Sequence, residues 1–567
     1  MKFHLAKIYK LLNKLILKLF SAKNIGVISV IFFTELAVCQ VVTPWITSGD
    51  KTKLLQQQST VSFTPNSNTV GNVLTINAAT TYQSIDGFGF CLTEGSAEVI
   101  SSLAEAQQNA LLTELFDKNT GLGISMLRIS IGASDLSSSN YSYNETSGDV
   151  SMTNFSLAGP DLTYLLPILK KALTINPDIK ILATTWSPPR WMKSNNSWIG
   201  GTLNTSAYTA YANYFVKYIA AMKLQGVTIW GITVQNEPEN PNNNPSMSMN
   251  STEQKNFINS NLGPAMATAG YSAVKIIAFD HNCDNTAYPI DVCNNSSYVD
   301  GAAFHLYAGS ISAMSTVKNA TNKNVYFTEQ YTGSGGSFSG DLGWHLQNVV
   351  IGATNNWAKA VLEWNLANNN SIGPYTPGGC NTCLGAITIT NSTTFTRNVS
   401  YYIIGQVAKF VKPGAVRIGV SSTSSSLVSA AFTNTDASVA LITYNMSATP
   451  QSIKILNGSN SFSYTIPALS ACSFVWNNNT QDNKKLSDEL HRMSISYNRI
   501  LDNIIVKFPI VKKSSLSLVS FNGLVIFSHE ISEISEKTIQ TNALPSGLYF
   551  VRLFDGVSSV FARFIKF

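Results

Sequence analysis

Gly231-Ile-Thr-Val-Gln-Asn-Glu-Pro-Glu239 reads as a buried strand that stops abruptly in an amide, a carboxylate and a proline. Val227 through Val234 is rich in β-branched and aromatic residues, the composition of a strand covered on both faces. Pro238 cannot donate to a ladder and restricts the residue before it, so regular structure ends at Glu237. An acid is thereby held at the rim of a rigid element, and in a (β/α)8 barrel the C-terminal rim of the strands is where catalytic groups stand. Taken alone, Asn236-Glu237-Pro238 reads better as a plain turn. A second run of the same kind, Asn324-Val-Tyr-Phe-Thr-Glu329, changes that balance, because again an apolar stretch ends in a carboxylate. Two strand-end glutamates about ninety residues apart, in a chain of alternating strands and helices, point to hydrolysis of a glycosidic bond. That reaction needs one carboxyl as acid and another as nucleophile or base.

Composition limits the alternatives. The chain of 567 residues exceeds one ordinary domain, and a hydrophobic fraction of 44% is ample for a large core. Only 12% of residues are charged, while Asn, Ser and Thr abound, which is the surface of an exported protein. The net charge of +6 owes much to Lys2, Lys7, Lys10, Lys14, Lys18 and Lys23, so the remainder is nearly balanced and no basic groove for nucleic acid is expected. Those lysines precede an apolar run from Ile25 to Ala37 that is too short, and too interrupted by Glu35, for a membrane span. A small-residue site follows at Ala37-Val38-Cys39, so residues 1–39 read as a secretory signal segment with a long basic start. An uncleaved anchor, or a lipoprotein signal acylated on Cys39, are the other two readings.

Seven cysteines suit an oxidising compartment. Cys283 and Cys293 could bridge a loop, and Cys91 and Cys472 are expected as buried thiols. Cys380-Asn-Thr-Cys383 is a lone C-x-x-C without a second pair or nearby histidines, which argues against zinc. No metal or other cofactor is expected.

Along the chain, Val61 to Ala78 suggests one or two strands ahead of the main domain, and Gln83-Ser-Ile-Asp-Gly-Phe-Gly-Phe90 reads as a strand whose glycines admit a close backbone neighbour. Strands are then expected at Gly123 to Ser130, Ile179 to Thr185, Val227 to Val234, Val274 to Ala278, Ala302 to His305, Asn324 to Thr328 and Ala360 to Trp364. With the stretch around Ile85 these make eight, separated by amphipathic helices. Tyr208, Tyr211, Phe215, Tyr218, Ile219 and Met222 share one helical face, and Ser251-Thr-Glu-Gln254 looks like a capping box. After a last helix ending near Pro413, short evenly spaced strands from Leu427 to Trp476 suggest a β-sandwich. The expected organisation is α/β: N-terminal strands at 60–80 joining the sandwich, a (β/α)8 TIM barrel at 81–412, the attached β-sandwich at 413–476, a polar linker at 477–493 and a separate C-terminal all-β module at 494–567.

Several motifs occur in the order found in glucosylceramidase-like enzymes, family 30 of the glycoside hydrolases, which the chain resembles over roughly residues 60 to 476. They are Gln83-Ser-Ile-Asp-Gly-Phe-Gly-Phe90, Leu127-Arg-Ile-Ser-Ile-Gly-Ala-Ser-Asp135, Thr185-Trp-Ser-Pro-Pro189, Thr233-Val-Gln-Asn-Glu-Pro238, Asp280-His-Asn282, Phe304-His-Leu-Tyr307, Thr328-Glu329 and Trp364-Asn-Leu366. The resemblance implies a barrel with a β-sandwich and hydrolysis of β-glucosidic bonds with retention, Glu237 matching the acid/base and Glu329 the nucleophile. On that basis Asn236 is expected on the sugar 2-hydroxyl and Arg128 on Glu329, with Trp186 and Trp364 offering ring faces and His305, Tyr307 and Asn365 polar edges. Phe90-Cys-Leu-Thr-Glu94 departs from the family's usual run, and Glu94 is expected on the sugar's far hydroxyls. Arg190 and Gln406 also depart from the common residues. Relatives include endo-β-1,6-glucanases, so the substrate is a β-glucoside or a β-glucan. A carbohydrate-binding protein without chemistry is the alternative from another class.

The last module is similar to the C-terminal sorting domains of type IX secretion, on Leu544-Pro-Ser-Gly-Leu-Tyr-Phe-Val-Arg552 and the basic-aromatic end Arg563-Phe-Ile-Lys566. With the N-terminal signal this implies engagement with export machinery and a secreted or outer-membrane surface location.

Overall fold

A computed structural model describes residues 40–66, 71–477, 493–498, 501–508, 514–521, 524–554 and 559–566. The signal segment expected at 1–39 and nearly all of the linker expected at 477–493 lie outside the described residues.

Eight parallel strands close into a barrel: Gly87–Cys91, Met126–Ser130, Lys180–Thr184, Ile229–Thr233, Lys275–Cys283, Val299–Gly309, Asn324–Glu329 and Ala358–Asn365. The last pairs with the first, Ala360 opposite Gly87 and Val361 opposite Phe88. The strands are covered on both faces, Met126–Ser130 being buried at every position, which is why they read as unbroken apolar runs. Gly89 is required by this closure, since a Cβ there would run into the Met126 carbonyl of the neighbouring strand.

The helices wrap the barrel through their aromatic faces. In Tyr208–Leu224, Tyr211, Phe215, Tyr218, Ile219 and Met222 are buried, and Tyr143 stacks on Tyr218 with ring centroids 5.7 Å apart. The capping box sits one residue earlier than the sequence suggests. Asn250 accepts from the Glu253 backbone N–H and Glu253 returns to the Asn250 N–H, leaving Ser251 as the first helical residue of Ser251–Phe257.

The sandwich is built from both sides of the barrel sequence. Val41–Ser48 pairs antiparallel with Ser470–Asn477, Val42 opposite Trp476. Asn72–Ser84 pairs with Val416–Ser422 on one side and, in parallel, with Gln451–Asn457 on the other. The N-terminal contribution is therefore larger than the expected 60–80. Val42, Ile46, Leu74, Ile455, Phe474 and Trp476 form its apolar core, separate from that of the barrel. Gln406, in the helix Val399–Ala408, is fully buried and bonds Thr47 at 2.7 Å and Ser473 at 2.5 Å, so this departure from the family ties barrel to sandwich and lies away from the sugar site.

The C-terminal module has two antiparallel sheets. One holds Ser494–Asn498, Asn503–Lys507 and Glu536–Gln540; the other holds Ser514–Ser520, Val525–Ile531, Gly547–Phe554 and Ser559–Lys566. Its core includes Ile504, Val506, Leu516, Leu518, Val551 and Phe564. Cys380 and Cys383 form a disulfide. Cys283 and Cys293 do not bridge: one ends a barrel strand, the other lies in the helix Ala287–Asn294, and both thiols are packed in the barrel core.

Candidate active site

A buried ionic net lies beneath the C-terminal rim. Arg128, in the second strand, is fully buried, and a guanidinium in that position needs acceptors on every side. Its Nη1 donates to Glu329 Oε2, its Nη2 to Asp280 Oδ2 at 2.8 Å and to Asn236 Oδ1 at 2.7 Å, and its Nε to Thr184 Oγ1 at 3.1 Å. Asp280 also accepts from Thr233 at 2.6 Å and Thr328 at 2.7 Å, and its Oδ1 lies 3.2 Å from His305 Nε2. Burial penalises the charge of Asp280, but Arg128 and His305 outweigh that and hold its carboxyl well below the usual range. Six neighbouring strands or their ends thus converge on one Arg–Asp pair.

Above this net stand the two glutamates. Glu237 adopts a left-handed φ of 45°, and its backbone N–H donates to the Asp280 carbonyl at 2.9 Å. Glu329 closes its strand and accepts from Arg128 and, at 2.9 Å, from the Tyr307 hydroxyl. His305 Nδ1 lies between them, 3.2 Å from Glu237 Oε1 and 3.7 Å from Glu329 Oε1. The interacting atoms of Glu237, His305 and Glu329 all fall within 4.8 Å of one another. Glu237 Oε2 accepts from Asn240 Nδ2 at 2.8 Å and Asn243 Nδ2 at 3.1 Å.

Protons distribute accordingly. Burial works against charge on His305, yet Glu329, Asp280 and Glu237 around it push the ring up to about 9. Burial also opposes the charge of Glu237, but the hydrogen bond and charge of His305, with His281 and Asn240, hold it down at about 2. These are two aspects of one proton held between Oε1 and Nδ1. Burial pushes Glu329 up, against the pull of His305 and Arg128. Glu237, His305 and Glu329 are close enough to share a cation. However, a protonated Nδ1 has no lone pair to give, and Glu329 already receives two donors, so the cluster handles protons.

The remaining expected residues divide. Asn236 is buried beside Arg128 with its amide oxygen occupied. Trp186 and Trp364 are 1% and 2% exposed and stack on one another with centroids 5.3 Å apart. The Arg128 guanidinium lies 4.7 Å from the Trp186 ring centre, so these rings form a wall behind the ionic net and not an open platform. His305 is likewise enclosed, reaching the site only through the acids, whereas Tyr307 is 39% exposed at the mouth. Asn365 is turned away to Ser96 Oγ at 2.7 Å.

Glu94, expected on the sugar's far hydroxyls, makes no hydrogen bond to either glutamate among the described residues. It opens the helix Glu94–Ser101, accepts from the Ser138 backbone N–H at 3.1 Å, and has Glu98 and Asp161 as charged neighbours. Burial raises its carboxyl to about 7. Asp135, which the sequence offered only inside a motif, is the acid that senses the pair: burial first, then Glu329 and Glu237, raise it to about 7. It is held by the disulfide loop, the Cys380 backbone N–H bonding its carboxylate and the Thr376 N–H its carbonyl at 2.9 Å.

Comparison with known proteins agrees with this architecture. Residues 85–411 match the glycosyl hydrolase family 30 TIM-barrel domain, residues 414–474 the family 30 beta sandwich domain, and residues 499–566 a secretion system C-terminal sorting domain. An endo-1,6-beta-D-glucanase of Neurospora crassa is 36% identical over 375 residues, covering 62% of this chain and 77% of that protein. The lysosomal acid glucosylceramidase of Mus musculus is 26% identical over 434 residues, covering 72% and 84%. A solved endo-beta1,6-glucanase superposes with a TM-score of 0.73 at 37% identity, covering 77% of this chain and 100% of that one.

Proposed function

The chain belongs to family 30 of the glycosyl hydrolases and carries a secretion sorting domain, so it is an exported glycosidase; from that premise we propose a retaining endo-β-1,6-glucanase in which Glu329 is the nucleophile and Glu237 the acid/base. The observation that supports the chemistry is that one oxygen of Glu237 and one of Glu329 lie within 4.8 Å of each other. Retaining enzymes space these groups at about 5 to 5.5 Å, whereas inverting enzymes leave about 6.5 to 9.5 Å for a water. Glu329, receiving Arg128 and Tyr307, attacks the anomeric carbon as a carboxylate. As that C–O bond breaks, the leaving oxygen takes the proton held by Glu237 and His305. Water then enters, Glu237 removes its proton, and the glycosyl ester on Glu329 is cleaved. Asn236, its oxygen fixed by Arg128, keeps an amide N–H for the sugar 2-hydroxyl.

The first expectation from the sequence, a glucosylceramidase-like β-glucosidase, gives way to the β-1,6-glucanase reading on similarity. Identities of 36 to 37% to endo-β-1,6-glucanases exceed the 26% to the mouse glucosylceramidase. Incubation with linear β-1,6-glucan is expected to release a ladder of β-1,6-linked oligosaccharides from the start, with little product from β-1,3-glucan or glucosylceramide. Glucose as the sole early product would reject internal cleavage, and faster release from glucosylceramide would reject the linkage.

The pH dependence follows from the shared proton. Because His305 is held at about 9, the proton that Glu237 must deliver is present below that pH and lost as pH rises through it. The alkaline limb of kcat/KM on β-1,6-glucan is therefore expected near pH 9. A limb near pH 5, the position of an isolated carboxyl, would break the Glu237–His305 link.

A further inference from the structure

We propose that Asn240 and Asn243 are positioning residues that dictate which oxygen of Glu237 carries the transferable proton: they keep Oε2 a pure acceptor and leave Oε1 to hold it. This rests on the reading of Glu237 as acid/base. Both amides donate to the same oxygen, at 2.8 Å and 3.1 Å. An amide N–H cannot accept, so a proton on Oε2 would have no acceptor there and would displace at least one of the two donors. On the other side, Oε1 faces His305 Nδ1 at 3.2 Å and His281 Nδ1 at 3.9 Å, and His281 Nδ1 is buried without a hydrogen-bond partner. The carboxyl therefore has one edge for anchoring and one for proton transfer.

The loop is built to keep the amides in place. Asn240 cannot usefully flip, because its Oδ1 accepts the Asn242 backbone N–H at 3.2 Å, which commits Nδ2 to Glu237. The Asn240 N–H closes a turn onto the Glu237 carbonyl at 2.9 Å. Pro238, Pro241 and Pro245 restrict the backbone between them, and Asn244 Nδ2 fastens the loop to the Pro377 carbonyl at 2.8 Å. The titratable groups that interact with Glu237 from the elements around it are His305, His281, Glu329, Asp135 and Tyr307, and among the described residues none of them bonds Oε2, which takes only the two amides. Without the amides the carboxyl could turn and protonate on either oxygen, and its charged form would lose two donors.

The test uses the full chain with Asn240→Ala, Asn243→Ala and both together. Two substrates are compared across pH: β-1,6-glucan, whose leaving alcohol needs a proton, and a dinitrophenyl β-gentiobioside, whose leaving group does not. For the double variant the alkaline limb on glucan is expected to move up by about one pH unit, since Glu237 stripped of the donors that satisfy its charge binds the proton it shares with His305 more tightly. At the optimum kcat/KM on glucan falls about tenfold while the activated substrate changes less than about twofold. Each single variant gives a smaller shift in the same direction. An equal loss on both substrates with the limb unmoved means that the loop is only structural and overturns the proposal. Glu237→Gln serves as the control. If it too fails to spare the activated substrate, the acid/base reading itself falls; if it spares it while the amide variants move nothing, only this inference falls.

Discussion

Glu329→Gln is expected to lower kcat on β-1,6-glucan by on the order of 10^4-fold or more while leaving the chain folded. The amide is isosteric and its oxygen still accepts from Arg128, so the packing beneath it survives; what is lost is the negative charge that attacks the anomeric carbon. Release of reducing ends measures the first part and near-ultraviolet circular dichroism the second. Glu329→Gly with added azide sharpens the test. Azide entering the vacated space restores turnover and yields a glycosyl azide of the α configuration, as attack from the face that Glu329 occupies requires. A Gln variant within tenfold of the parent would remove Glu329 from the reaction.

Arg128→Met carries the second large effect, and it acts on stability as well as rate. The change leaves Asp280 and Glu329 buried with no guanidinium between them, and breaking such a pair costs about 3 to 5 kcal/mol. The barrel should unfold at markedly lower denaturant or temperature. Activity should fall with it, because Glu329 would bind a proton and Asn236 would lose the partner that orients its amide. Arg128→Lys separates charge from geometry. One ammonium cannot span Glu329, Asp280, Asn236 and Thr184, so part of the stability returns and most of the activity does not. Unchanged stability in the Met variant would contradict the net as described.

The barrel was legible because its strands are apolar runs and doubly covered strands leave little ambiguity of period, although Ile229–Thr233 ends four residues before Glu237 and not, as expected, at the stop set by Pro238, so Asn236 and Glu237 stand on the loop that follows the strand. The strand Val41–Ser48 was not, since it contains Pro44 and directly follows an apolar leader-like run. Asn72–Ser84 is mostly exposed along its second half and lacks the alternation that marks a half-buried strand. In the site, rim acids announce themselves by position, but a buried hub does not. Asp280 lies in the middle of Lys275–Cys283 with a left-handed φ of 67°, and only the side chains of other strands reveal what it binds. Glu94 and Asp135 illustrate the same limit. Both are buried acids near strand ends, and only the fold shows that Glu329 and Glu237 are among the charges acting on Asp135 while Glu98 and Asp161 act on Glu94. The Cys380–Cys383 loop that holds Asp135 comes from more than two hundred residues downstream, beyond any local pattern.

The pairing of Val41–Ser48 with Ser470–Asn477 also sets an order on how this molecule comes into being. Val41–Ser48 is made long before its partner Ser470–Asn477, so the edge the two share stays bare until nearly everything between them has been synthesised. A shortened chain ending at the last barrel helix would strand Val41–Ser48 and Asn72–Ser84 as open, sticky borders, and aggregation is its expected fate. The sandwich is thus less an appendage than a clasp whose two halves come from either side of the barrel sequence.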